Sequence, residues 1–395
     1  MEGHEKKISS EKATRKINPA SRYTIGIGDG NVKTRQMPKN HKLVVVGALI
    51  AAAVLLVASI IVIVVLLNHS ERDSDVFGET DKVIQVDTGD NEINLSEHTK
   101  SIRITEAGEY TLRGTMNDHS VIVDTDSDVT LVLAGVTINS KDTAAIVSLG
   151  EHDLFLALAD DTTNTLTDSG SSKYDAALYA SGSLIINGQN GVLNIVEQQE
   201  KGGGISAKSH DLVIDGGVIN IKSVGDGLVG GTVTINDGTV SIMAENNGIK
   251  GDEDAFFNGG STSITKTGVN KESTDFSLEK GYSIHNGIVV ALGDANTLEA
   301  PKDNSTQYSI ALLLPTTYSA GANIVMTDSS GNVLINHTAG ADFRTLILSN
   351  EQIHEGSYVL SINGQAVQTV DVSSIVTVVG EVNVDNNAED DSASQ

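Results

Sequence analysis

The chain of 395 residues has no cysteine and no tryptophan, only four prolines, and aromatic residues at 4% of positions. Without cysteine neither a disulfide framework nor a thiolate metal site can form. With no tryptophan and few Phe and Tyr, a broad aromatic platform for crystalline cellulose is not expected. Positive charge is scarce as well: 26 Lys and Arg face 52 Asp and Glu, for a formal net charge of −26. A surface that neutralises phosphates needs a basic face, so nucleic acid is excluded as a partner. What is plentiful is glycine, 39 residues, which with so little proline points to many tight turns rather than a disordered Pro-rich chain.

The charge is unevenly spread. Residues 1–42 carry ten Lys and Arg against four Asp and Glu, residues 43–67 carry none, and the remainder carries 16 against 48. The uncharged run, LVVVGALIAAAVLLVASIIVIVVLL, would reach roughly 37 Å as a helix, enough to cross a ~30 Å hydrocarbon core with tilt. A cleaved signal peptide is the competing reading. The run is longer than a signal core, and Asn68, His69 and Ser70 follow it without an A-x-A pattern. Lys33, Arg35, Lys39 and Lys42 precede the span and Arg72 and Lys82 follow it, which leaves the N-terminus cytoplasmic and the rest outside the cell. The expected organisation is a disordered basic tail (1–42), a transmembrane anchor (43–67), a linker (68–80), a large β-domain (81–300), a small C-terminal β-module (301–380) and an acidic tail (381–395).

The β-domain is expected from internal repetition. Leu212-Val213-Ile214-Asp215-Gly216-Gly217 followed by Val218-Ile219-Asn220-Ile221 recurs 21 residues later as Val233-Thr234-Ile235-Asn236-Asp237-Gly238 and Thr239-Val240-Ser241-Ile242. Related units begin at Leu184 and Leu131. Each unit has two short strands about a Gly turn, with apolar residues at i and i+2 on one face. A third element, Ala145-Ile146, Ala177-Leu178, Gly204-Ile205, Gly227-Leu228 and Gly248-Ile249, recurs at intervals of 32, 27, 23 and 21 residues. Three short strands per repeat fit one coil of a parallel β-helix, in which equivalent residues stack into ladders at ~4.8 Å. Leu212 then stacks on Val233, Ile214 on Ile235 and Ile219 on Val240. An antiparallel sandwich, the runner-up, does not need a constant repeat. Strands near 102–110 and 120–124 look like the start of the coils. Longer alternating strands at 310–314, 323–327, 332–336 and 358–363 read as the C-terminal module covering the last coil.

Several strings together resemble one family: Ile104-Thr105-Glu106-Ala107-Gly108-Glu109-Tyr110-Thr111-Leu112, Leu131-Val132-Leu133-Ala134-Gly135-Val136-Thr137-Ile138, Asn164-Thr165-Leu166-Thr167-Asp168, Ala176-Ala177-Leu178-Tyr179, Gly225-Asp226-Gly227-Leu228 and Gly248-Ile249-Lys250-Gly251-Asp252. The chain resembles the bacterial surface carbohydrate-binding β-helix family, whose clostridial members look like pectate lyases. The match covers roughly 81–293 and is looser to 376. It departs after Asp254, where 255–281 shows no clear further coil motif. The resemblance implies an all-β, right-handed parallel β-helix, bound calcium, and binding of plant or cell-wall polysaccharides, acidic ones included.

Asp226 and Asn247 each stand two residues before the Gly-Leu or Gly-Ile element, 21 residues apart, and Asp252, Glu253 and Asp254 follow closely. Calcium takes six to eight oxygens at about 2.3–2.6 Å, and Asp226, Asn247, Asp252 and Asp254 are the candidate ligands. The bland alternative is a turn ladder in which Asp and Asn side chains bond backbone N–H groups. Lys250 is a candidate glycan contact. An ammonium among carboxylates suits charge balance or a sugar carboxylate better than proton abstraction. Tyr174 and Tyr179 are candidate ring-stacking residues, with packing at a coil edge equally open. Asp124-Thr125-Asp126-Ser127-Asp128 mimics the opening of an EF-hand, but Val129 stands where Gly is required. Gly26-Ile27-Gly28-Asp29-Gly30 and Gly225 to Gly230 lack a strand–helix context, so no nucleotide is expected. Neither H-E-x-x-H nor G-x-S-x-G occurs.

The expected function is a membrane-anchored, cell-surface polysaccharide-binding protein, calcium-assisted and without catalysis. A calcium-dependent pectate-type lyase and a structural spacer or adhesin are the alternatives. Unsaturated products would mark the first, and cell attachment without glycan binding the second.

Overall fold

The computed structural model describes residues 83–86 and 91–380, except 142, 170–173, 175, 199–201, 269–272 and 295–297. The expected tail 1–42, anchor 43–67, linker 68–80 and acidic tail 381–395 lie outside these residues. Among the described residues no helix is long and apolar enough to cross a membrane. Their single helical turn is the 3₁₀ segment Leu95–Glu97.

The rest is a parallel β-solenoid followed by antiparallel strands. Its short strands form because apolar residues alternate with polar ones: Leu212–Ile214 and Thr239–Ala244 each bury every second side chain. Stacking then buries those side chains. Leu212 pairs with Val233, Ile214 with Ile235 and Ile219 with Val240, all in parallel register, as the 21-residue repeat requires. The third element forms its own nine-stranded sheet, in which Ile146, Leu178, Ile205, Leu228 and Ile249 are successive rungs. We call this the first sheet. The other two strands of each coil form the second and third ladders, which share one large sheet because Gly108–Asn117 and Val129–Ser140 run through both.

At that corner Gly114 and Gly135 adopt φ of +85°, which glycine tolerates readily. Buried Asn164 holds the bend, its side-chain oxygen accepting from the N–H groups of Gly135 (3.0 Å) and Val136 (2.9 Å). The interior is one continuous column, mostly of Leu, Ile and Val side chains. Each fully buried side chain contributes roughly 1.5–3 kcal/mol.

The solenoid spans 83–293, inside the expected 81–300, and at both ends its coils continue past the motifs legible in the sequence. It begins one coil before 102–110, with Val83–Val86 paired to Ser101–Ile104 and Glu92–Asn94 paired to the strand at 108–117. Beyond Asp254, the strands Asp254–Phe257 and Ser261–Lys266 finish one coil, and Phe276–Leu278, Gly281–Ile284 and Ile288–Gly293 make another. The motif disappears there because aromatic rings replace the usual Leu and Ile. Phe276 stacks on Tyr282 at 3.9 Å, and Phe257 meets both rings edge-on.

The last solenoid strand, Ile288–Gly293, pairs antiparallel with Phe343–Ser349, which pairs antiparallel with Ser309–Tyr318. A four-stranded antiparallel sheet (323–328, 333–338, 356–362 and 365–372) closes over them around a second core. Val290 and Leu292 point into that second core, while Val289 and Ala291 belong to the solenoid core.

Candidate functional site

The first sheet presents one outward column along its length. Arg103, Ile122, Val147, Tyr179, Ser206, Val229, Lys250 and Ser277 occupy successive rungs. Its first half is covered: Ile122 and Val147 are fully buried with Ala144, Leu149 and Tyr174. Arg103 there donates from Nη1 to Asp124 Oδ2 at 2.9 Å. Asp124 is 5% exposed, so the first carboxylate of the EF-hand-like string is an ion-pair partner.

The second half is more open, although Ser206 within it is buried. Tyr179 is half-buried, Val229 and Ser277 likewise, and Lys250 is exposed. Three rungs separate Tyr179 from Lys250, about 14 Å at the usual strand spacing. Tyr174 and Tyr179 lie with ring centroids 4.7 Å apart and planes at 41°. Tyr174 is buried, and that burial pushes its phenol above the ordinary value. Of these two, Tyr179 is the one that offers its ring to solvent.

The structure brings Asp226, Asn247 and Lys250 together. Asp226 Oδ1 accepts from Asn247 N–H (3.0 Å), Asn247 Nδ2 (2.7 Å) and Asn246 Nδ2 (2.6 Å). Its Oδ2 faces Lys250 Nζ at 3.6 Å. Asn247 Oδ1 in turn accepts from Thr274 N–H at 2.9 Å. This is a ladder of turns, each side chain closing the backbone of the next coil. Asp252 and Asp254 are placed elsewhere. Asp252 is exposed, Asp254 begins a second-ladder strand and accepts from Lys302 Nζ at 2.7 Å, and Glu253 pairs with Lys280. Among the described residues no three His, Asp or Glu side chains converge as a metal site would need. The oxygens of Asp226 and Asn247 are engaged by N–H groups and an ammonium, so these four residues do not fit a closed calcium cage, which needs six to eight free oxygens.

A second surface was not singled out by sequence. The third ladder shows outward Thr115, Thr137, Thr165, Asn194, Asn220, Ser241 and Ser263 on successive rungs. Beside them lies a groove of about 450 Å³ lined by Val196, Lys222, Met243 and Glu245 among others. The signal was the polar half of the same alternation that revealed the core.

Fold and surface define a class: a parallel β-solenoid whose outer faces carry polar side chains at regular rungs. Residues 98–311, more than half of the chain, match the family described as "Carbohydrate-binding domain-containing protein". The chain belongs to that family. A curated relative from Acetivibrio thermocellus with the same description is 33% identical over 144 residues, covering 34% of this chain and 49% of the relative. The chain thus spans about half the length of the curated relative it matches. Among solved structures, the polysaccharide lyase-like protein from C. thermocellum, a gadolinium derivative, is 28% identical over 53% of this chain and 93% of its own, with a TM-score of 0.41.

Proposed function

We propose that this protein binds polysaccharide along the outer face of the first sheet, with acidic plant or cell-wall glycans as its ligands and without catalysis. The observation that supports this most strongly is the more open half-column, where one tyrosine ring and one lysine ammonium stand on the same sheet face three rungs apart. The ring packs against the apolar face of a sugar, and Lys250 meets a carboxylate. In a chain with net charge −26, such a cation matters because the surrounding surface repels polyuronates.

Calcium is part of the proposal as an assisting ion held jointly by the polymer's carboxylates and the exposed Asp252, since the polymer then supplies the missing oxygens. Anchoring through residues 43–67, with the solenoid outside the cell, completes the reading. Affinity electrophoresis through polygalacturonate, with calcium or EDTA, tests binding. Retardation that EDTA weakens, without unsaturated products, is the expected result. Unsaturated products lost in Lys250→Ala replace this reading with a lyase, and cell attachment without any retardation replaces it with a spacer or adhesin. Protease on intact cells is expected to remove the solenoid and spare an N-terminal tag; the reverse pattern refutes the orientation.

A further inference from the structure

The second ladder carries an outward face that the site above does not use. Phe155, Ile185, Val213, Thr234 and Phe256 occupy five successive rungs. All five are partly exposed, although their inward neighbours on the same strands are buried. Two residues further along each strand, hence on the same face, stand Ala157, Asn187, Asp215, Asn236 and Asn258. The last four are exposed. The result is a strip about 19 Å long at the usual strand spacing, apolar except for Thr234, with a ring at each end and a polar row at its side. The ring of Phe256 is backed by His285, stacked at 6.2 Å with planes 14° apart.

The polar row is preorganised. Asn258 Nδ2 donates to Asn236 Oδ1 at 2.8 Å, and Asn236 Nδ2 donates to Asp215 Oδ1 at 2.7 Å. Asp215 ends the chain as an acceptor and so fixes which way both amides point. Each amide keeps a second N–H and further lone pairs directed away from the row. Donors and acceptors therefore alternate along the strip in fixed orientation, and Asp215 is the row's one charge.

We infer that this face is a second carbohydrate site, for an uncharged polysaccharide lying across the rungs with its ring faces on the apolar strip and its hydroxyls on the amide row. The inference rests on the reading that the domain binds polysaccharide, but places a different ligand class on a different face. The occupant follows from chemistry. Sugar rings have apolar faces and hydroxyl edges, and each hydroxyl donates and accepts as the amides do. A polyuronate would set carboxylates against Asp215 with no lysine or arginine in either column. A second copy of this chain is disfavoured by the repulsion of two acidic bodies and by a strip one side chain wide, far narrower than the ~800 Å² per partner of a stable interface.

The test uses the full chain in detergent, electrophoresed through gels containing hydroxyethylcellulose or polygalacturonate. Wild-type protein is expected to be retarded by hydroxyethylcellulose. Phe155→Ala with Phe256→Ala should weaken that binding about tenfold, a single step in the affinity scale, while polygalacturonate retardation is retained. Asn236→Ala, at an exposed position, should weaken it in the same gel without touching the strip, which covers the case of a double variant that misfolds. If the protein is retarded by polygalacturonate alone, or if Asn236→Ala and the folded double variant bind hydroxyethylcellulose like wild type, this second site is refuted and the first stands. If neither polymer retards the protein, the carbohydrate reading itself fails. If sedimentation shows self-association that the double variant abolishes, with no hydroxyethylcellulose binding, the strip is a protein contact and the inference is overturned.

Discussion

Asp226 holds three N–H groups on one oxygen and faces Lys250 with the other. Replacing it with Ala leaves a nearly buried turn without its acceptor, which should cost about 1–3 kcal/mol in denaturant unfolding. Asp226→Asn keeps an acceptor for the turn but turns an amide towards Lys250, so it should cost less stability while changing acidic-glycan binding. Equal losses of stability for the two variants would mean that the carboxylate charge, not the turn, is what matters. Ile235, 1% exposed between Ile214 and Phe257 in the ladder, is a sharper probe of the core. Ile235→Asp puts a charge in an apolar column and should cost several kcal/mol. Unchanged thermal unfolding would contradict its burial.

At the scale of elements, the junction between solenoid and C-terminal module contains an unusual carboxyl group. Asp275, just before the strand Phe276–Leu278, is 4% exposed and has Oδ1 without a partner. Burial raises it from 3.8 to about 7, Lys266 opposes the rise, and Asp294 and Glu299 add to it. Because the folded group holds its proton more tightly than the unfolded one, its contribution to stability is fully present below about pH 4 and is lost as pH rises to about 7. Asp275→Asn should flatten that slope in melting curves taken at pH 5 and pH 7.5; a slope unchanged from wild type would show that the carboxyl does not titrate in this window.

The same position shows what sequence could and could not reveal. The 21-residue spacing made Leu212, Val233, Ile219 and Val240 legible, because stacking demands equal coil lengths and an apolar residue at each rung. Past Asp254 the Gly-Ile element becomes Asp275-Phe276, so the pattern vanished although the coils continue. The strands Phe343–Ser349 and Gln365–Val372 carry no repeat and form through pairing with strands distant in sequence. Asp226 and Asn247 were recognisable as neighbours by offset. Asp252 and Asp254 were near them only in sequence, since the chain turns into the second ladder between them.

For the whole molecule, the C-terminal module closes an end that a solenoid cannot leave open. The strand Ile288–Gly293 has a paired edge only because Phe343–Ser349 lies against it, and its outward Val290 and Leu292 are 4% and 0% exposed beneath the second core. Removing residues 301–395 would present a backbone edge of unpaired N–H and C=O groups next to two bared aliphatic side chains, a template for edge-to-edge association. It would also free Tyr282, whose hydroxyl donates to Glu299 O beside the point of truncation, to move in the terminal core. The truncated chain should therefore aggregate at concentrations where the full chain stays dispersed, as read by light scattering. Adding Leu292→Lys, which puts a charge on that edge, should restore much of the dispersion without returning the lost stability. If the truncated chain is monomeric and melts like the full chain, the module is a passenger on the last coil rather than its cap.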